Sequence, residues 1–130
     1  MPEFNETFED LVDRLKSKDY KAIAERMTAN PAVLDMQHAI TGLLTEVGEL
    51  ADMLKRHIYY GAPLDFTNGK EEVGDVLFYA QLFAKAAGFD LEDSQKAVQR
   101  KLTKRYPNGF NNEDAVNRNT EEERIALEGN

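Results

Sequence analysis

Apolar side chains recur along this chain at the three- and four-residue spacing that is typical of amphipathic α-helices. The first two stretches with this spacing are short and cover about residues 8–15 and 20–27. A third stretch keeps helical phase from Pro31 until Gly61 interrupts it, so the pattern predicts one long helix there. Asn30 is suited to cap this helix, because its side chain can accept a backbone hydrogen bond and proline is favoured at the position that follows.

A second long helix is predicted from about Lys70 to Ala87, with Asn68 as its N-cap. After Asp75 its apolar side chains point in nearly every direction; they are Val76, Leu77, Phe78, Tyr79, Leu82, Phe83 and Ala84. A helix that is apolar all round is normally buried all round, so we expect part of this helix to contact another subunit. A last helix is predicted between a cap at Asp90 and the chain break at residues 107–109.

The predicted fold class is all-α, because no stretch shows the two-residue alternation of a β-strand. Residues 1–110 are predicted to form one helical domain with its core at about 30–106. Residues 111–130 are polar and acidic, and they form either a loose tail or an arm that orders on a partner.

No stretch approaches the roughly 20 apolar residues of a membrane span, and the first residues lack the features of a signal peptide. We therefore expect a cytoplasmic protein with no membrane partner.

The balance of charges limits the class of partner. The formal net charge of −8 argues against a nucleic-acid polymer, because proteins that bind one need a basic face. A single nucleotide remains compatible with this charge if a metal ion and a few local cations neutralise its phosphates. The chain has no cysteine, so disulfides and zinc–thiolate sites are excluded.

Two acidic pairs carry the candidate chemistry: Glu46 with Glu49, and Glu72 with Asp75. Each pair has i,i+3 spacing, so its carboxylates project from one face of a helix. Residues 50–71 contain enough glycine, proline and asparagine to reverse the chain, and two antiparallel helices would then aim four carboxylates at one point. All-oxygen ligation suits Mg²⁺, with Mn²⁺ as an alternative ion. The competing interpretation is that both pairs are solvated helix surface.

Basic and aromatic residues supply candidates for binding a substrate. Lys101 and Arg105 share a helix face by their i,i+4 spacing and are suited to hold phosphate oxygens; the alternative is that they only compensate the helix dipole. His38, Arg56 and Tyr79 are candidates for a substrate pocket. A packed histidine and a solvated arginine are the alternatives for the first two.

Three segments, in this order along the chain, resemble motifs of the MazG-like all-α nucleoside-triphosphate pyrophosphohydrolases: GLLTEVGELADMLKR at 42–56, KEEVGDVLFYA at 70–80 and KLTKRYPNGF at 101–110. The resemblance covers roughly residues 30–127 and includes a single set of motifs. It implies a four-helix bundle core that forms homodimers or homotetramers. It also implies that the four carboxylates hold Mg²⁺, that Lys101 and Arg105 bind phosphates, and that a nucleotide is hydrolysed between its α- and β-phosphorus.

The resulting hypothesis is an Mg²⁺-dependent hydrolase that converts a nucleoside or deoxynucleoside triphosphate to the monophosphate and pyrophosphate. Glu49 or Glu46 would orient the attacking water or accept its proton. One alternative is hydrolysis of another pyrophosphate-linked nucleotide, such as a phosphoribosyl nucleotide, on the same scaffold. Another is a non-catalytic helical dimer that binds a nucleotide or a protein.

Overall fold

The computed structural model describes residues 5–129, and these form seven α-helices. The helices are α1 (Phe8–Leu15), α2 (Tyr20–Ala29), α3 (Pro31–Tyr60), α4 (Phe66–Ala87), α5 (Leu91–Arg105), α6 (Asn112–Val116) and α7 (Thr120–Glu128). The predicted all-α fold class is confirmed for this part of the chain. None of these helices is both long and apolar enough to cross a membrane.

Local signals set both ends of the long helix α3. The Asn30 side chain accepts a hydrogen bond from the Ala32 N–H at 3.1 Å, and Pro31 occupies the first helical position. At the other end Gly61 has a φ of +70°, a left-handed conformation that glycine adopts without a steric penalty. The predicted boundaries of α3 are therefore confirmed.

Helix α4 begins one turn earlier than the sequence pattern predicts. Its N-cap is Asp65, whose Oδ1 accepts a hydrogen bond from the Asn68 N–H at 3.0 Å. The prediction that Asn68 caps this helix was wrong, because aspartate caps a helix as well as asparagine does and here lies three residues upstream. Asn68 is instead in the first turn of α4, beside the C-terminal half of α3.

Helices α3 and α4 form an antiparallel pair, since Gly69 of α4 faces Met53 of α3 whereas Tyr79 faces Gly42. Gly42 is buried, and a Cβ atom placed on it would lie only 2.3 Å from the Tyr79 ring. The two backbones therefore approach closely at this point. This close, antiparallel pairing brings the acidic pair of α3 alongside the acidic pair of α4.

Helices α5 and α7 form a second pair, and α2 packs on α3. The Arg100 Nε–H donates to the Ala126 carbonyl at 2.7 Å. The Arg105 Nε–H donates to the buried Glu123 carboxylate at 2.7 Å, and Arg118 donates to the same carboxylate at 2.6 Å. The segment that follows residue 110 thus lies on α5 of its own chain, while its action as an arm on a partner remains a prediction.

Both long helices carry exposed apolar side chains within the described residues. Leu44 of α3 is 71% exposed, and Leu77 and Phe78 of α4 are 54% and 63% exposed. One chain therefore leaves uncovered part of the apolar surface that the sequence led us to expect to be buried. The two helix pairs meet mainly where α4 contacts α5.

Candidate metal centre

Three carboxylates converge between α3 and α4. Oxygen atoms of Glu46, Glu72 and Asp75 all lie within 4.8 Å of one another. Glu72 is buried with 8% of its surface exposed, and the other two are half-buried. Glu72 and Asp75 share a face of α4 by their i,i+3 spacing, and the antiparallel pairing brings Glu46 opposite them.

The electrostatics of this cluster favour a cation. The pKa of Glu72 is raised from 4.5 to about 7, first by a hydrogen bond with the Glu46 side chain and then by burial. The negative charges of Glu46, Glu49 and Asp75 raise this pKa further. The Glu72 carboxylate is therefore partly protonated near neutral pH when no cation compensates the charge around it. An all-oxygen donor set of this kind fits a hard divalent ion such as Mg²⁺ or Mn²⁺.

Glu49, the fourth predicted ligand, lies beside this cluster rather than within it. It follows Glu46 by one helical turn, and its charge is among those that raise the pKa of Glu72. Its carboxylate is not among the three whose oxygen atoms lie within 4.8 Å of one another. It lines an adjoining cavity instead. The structure therefore brings together three of the four predicted ligands.

The predicted phosphate-binding residues lie on α5. Arg105 makes two hydrogen bonds with Glu123, from Nε at 2.7 Å and from Nη2 at 3.0 Å. This pairing raises the pKa of Arg105, and hydrogen bonds from Arg105 and Arg118 lower the pKa of Glu123 to about 2. Lys101 is half-buried one turn earlier on α5. The ion pair of Arg105 is therefore directed to α7 and not to the α3–α4 carboxylates.

The three predicted pocket residues lie on two sides of the carboxylate cluster. The His38 and Tyr79 rings meet edge to face with their centroids 5.8 Å apart. Arg56 forms an ion pair with Asp52, with 2.7 Å between Nε and Oδ2, and lines the cavity beside Glu49. His38 and Arg56 are five helical turns apart, about 27 Å along the axis of α3, so they do not line one pocket.

The structure also shows polar residues that the sequence pattern did not single out. Asp52, Asp65 and Asn68 line the cavity beside Glu49. Asp52 follows Glu49 by three residues and precedes Arg56 by four, which is the signal that could have identified it. Glu123 was overlooked because residues 111–130 read as a polar tail. The available signal was an asparagine at position 119 followed by acidic residues, a pattern typical of the start of a helix; Asn119 caps α7, and Glu123 lies in its first turn.

The described helices define an all-α protein in which three carboxylates converge between two antiparallel helices. The family model of the MazG nucleotide pyrophosphohydrolase domain matches residues 35–110 of this chain. The chain therefore belongs to the MazG family, and the resemblance of its three motifs is confirmed. Membership indicates a nucleotide pyrophosphohydrolase, a hydrolase of phosphoric anhydrides, in a family whose members are typically metal-dependent. Comparison with curated proteins and with solved structures gives no match.

Proposed function

We propose that this protein hydrolyses nucleoside or deoxynucleoside triphosphates between the α- and β-phosphorus and that it uses Mg²⁺, with Mn²⁺ as a substitute. The observation that carries the proposal is the group of three carboxylates at Glu46, Glu72 and Asp75, within 4.8 Å of one another in the matched domain. The raised pKa of Glu72 supports it, because bringing these charges together has a cost that a divalent cation would offset.

The roles of the residues follow from their positions. Glu46, Glu72 and Asp75 would hold the metal, which when bound neutralises the triphosphate and lowers the pKa of a water molecule. Glu49 lies beside this group and would orient the attacking water or accept its proton, with Glu46 as the alternative. The water oxygen bonds to the α-phosphorus while the bond from that phosphorus to the bridging oxygen breaks. The bridging oxygen leaves with pyrophosphate.

Lys101 and Arg105 are proposed to stabilise the negative charge on the departing pyrophosphate. The Glu123 carboxylate accepts hydrogen bonds from the Nε–H of Arg105 and from one N–H of Nη2. A guanidinium has five N–H donors, and the Tyr106 side chain is a second hydrogen-bond partner of Arg105, so the donors that these two partners do not use are left for phosphate oxygens. The bidentate pairing with Glu123 would also fix the plane of the guanidinium.

We further propose that the working form is a homodimer or homotetramer in which helices of two copies complete a four-helix bundle. The exposed side chains of Leu44, Leu77 and Phe78 support this, because they give α3 and α4 an uncovered apolar surface. Sedimentation equilibrium at several protein concentrations would measure the number of chains. A protein that remains monomeric at every concentration would contradict this part of the proposal.

A nucleotide panel tests the activity. Each nucleoside and deoxynucleoside triphosphate, together with one phosphoribosyl nucleotide that carries a pyrophosphate linkage, is incubated with and without Mg²⁺ while pyrophosphate is measured. We expect turnover of triphosphates with Mg²⁺ and none with a chelator. Turnover of the phosphoribosyl nucleotide alone would favour the alternative hydrolase, and no turnover of any compound would favour the non-catalytic dimer.

Two substitutions at the cluster connect that activity to the site. Glu72→Gln and Asp75→Asn should each lower kcat/KM by more than about 100-fold, because each removes a charged metal ligand. Glu71→Gln is the matched control, since Glu71 is the immediate neighbour of Glu72 but is exposed. Equal activity of the Glu72 and Glu71 variants would contradict the proposed metal site.

A further inference from the structure

A cavity of about 310 Å³ adjoins the carboxylate cluster, and Glu49 lies at their junction. The cavity lies between the C-terminal half of α3, the loop at residues 61–65 and the first turn of α4. Its other lining residues include Asp52, Met53, Arg56, Pro63, Asp65 and Asn68. A nucleotide whose phosphates are held at the cluster would therefore have one of its ends close to this cavity.

The charges of the lining decide which end of the nucleotide fits. Glu49, Asp52 and Asp65 contribute three carboxylates, whereas Arg56 is the one cation among the described residues that line the cavity and is already paired with Asp52. The terminal phosphates of a triphosphate would be repelled by this excess of negative charge. The nucleoside end is neutral and carries hydrogen-bond donors, so its chemistry matches the lining.

The polar groups of the cavity are held in place by contacts within the protein. Asp52 Oδ2 lies 2.7 Å from the Arg56 Nε, and Asp65 Oδ1 accepts the Asn68 N–H at 3.0 Å. Each of these two carboxylates has a second oxygen that can accept a hydrogen bond from a ligand. Two hydrogen-bond acceptors at fixed positions favour a ligand that presents hydrogen-bond donors to them. They disfavour a ligand that presents acceptors at the same places.

We propose that this cavity binds the base of the nucleotide and that Asp52 and Asp65 select bases with an exocyclic amino group. The inference rests on the proposed function. Cytosine and uracil provide the sharpest comparison, because cytosine has an amino group at the position where uracil has a carbonyl oxygen. A carboxylate accepts a hydrogen bond from the amino group, whereas it repels the carbonyl oxygen. Met53 and Pro63 supply apolar contacts for the ring.

The test compares kcat/KM for dCTP and dUTP in the presence of Mg²⁺. We expect the wild-type protein to prefer dCTP by at least about tenfold, since the amino group gains a bond that uracil cannot form. In Asp52→Asn and Asp65→Asn one carboxylate oxygen becomes an amide that can donate to uracil, so the preference should fall towards one. Asparagine at position 65 retains the capping function of aspartate.

Glu92→Gln is the matched control. It breaks the exposed i,i+4 ion pair between Lys96 and Glu92, 3.0 Å long and comparable to the pair of Arg56 with Asp52, but it lies on α5 outside the cavity. Its ratio of dCTP to dUTP should equal that of the wild-type protein. A fall in the ratio for either aspartate variant but not for this control supports the proposal.

Titration calorimetry with dCMP and dUMP gives a second measurement that does not depend on turnover. We expect dCMP to bind more tightly than dUMP, and Asp52→Asn to reduce the difference. The inference is overturned if turnover occurs with equal kcat/KM for dCTP and dUTP, if dUTP is preferred, or if neither aspartate variant changes the ratio; the proposed function stands in each of these cases. If no nucleotide yields pyrophosphate, the proposed function fails, and equal affinities for dCMP and dUMP would then overturn the inference as well.

Discussion

Replacement of Gly42 by alanine should destabilise the α3–α4 pair on which the site is built. A Cβ atom at this position would lie 2.3 Å from two ring carbons of Tyr79 and 2.5 Å from the Cγ that attaches the ring. A clash at the base of a ring cannot be relieved by moving the end of a flexible chain, so the helices must separate. Overpacking of this kind costs about 1–3 kcal/mol, whereas alanine in a helix gains about 0.5–1 kcal/mol over glycine. We expect a net loss of about 1–2 kcal/mol.

Gly48→Ala on the same helix is the matched control. A Cβ atom at Gly48 would have no atom of another part of residues 5–129 within 4 Å, so only the gain in helix propensity remains. This variant should be more stable than the wild-type protein by about 0.5–1 kcal/mol. Urea denaturation of the three proteins, at one protein concentration and with the slopes compared, measures both differences.

A double-mutant cycle tests whether the clash with the Tyr79 ring causes the loss of stability. If the Tyr79 ring produces the loss, Gly42→Ala should stabilise the protein by about 0.5–1 kcal/mol in a Tyr79→Ala background, as alanine does at Gly48, and the coupling energy should equal the overpacking cost of about 1–3 kcal/mol. A clash with the Tyr79 ring is excluded as the cause if Gly42→Ala and Gly48→Ala shift the free energy of unfolding equally, or if the loss at Gly42 persists without the tyrosine ring.

Three further predictions concern the N-cap of α3, the binding of Mg²⁺ and the loss of stability at acidic pH. Asn30→Ala should lower the free energy of unfolding by about 1 kcal/mol through loss of the α3 cap, whereas Asn30→Asp should not, as chemical denaturation would show. Mg²⁺ should raise the midpoint of thermal unfolding of the wild-type protein but not of Asp75→Asn, because only a protein that binds the ion in its folded state is stabilised by it. The pKa of Glu123 is lowered from 4.5 to about 2 by hydrogen bonds from Arg105 and then Arg118. Its contribution to stability is therefore complete above pH 4.5 and lost as the pH falls through 2. Glu123→Gln should remove this part of the acid dependence, measured as the difference between wild-type and variant unfolding at pH 5 and pH 3.

The ends of α3 could be predicted because the residues that set them act locally. Asn30, Pro31 and Gly61 determine the backbone within a residue or two of themselves. The start of α4 was missed because Asp65 and Asn68 are both good caps, three residues apart. Nothing in that short segment decides between them, since the choice also depends on how far α4 can extend along α3.

The site could be predicted only in part for a similar reason. The i,i+3 spacing identified the acidic pairs, but which carboxylates converge depends on how α3 and α4 are rotated about their axes. That rotation separates Glu49 from the group of three. The pairing of Arg105 with Glu123 joins residues 18 positions apart and requires α7 to pack on α5. No local pattern contains that information.

All three clustered carboxylates come from one helical hairpin, since α3 and α4 follow each other across the loop at residues 61–65. Contacts between neighbouring segments form early when a chain folds, so this hairpin can assemble before α5 and α7 add to it. The proposed metal ligands are thereby encoded separately from the region that carries Lys101 and Arg105. Mutations in the later helices can therefore accumulate without separating the three carboxylates.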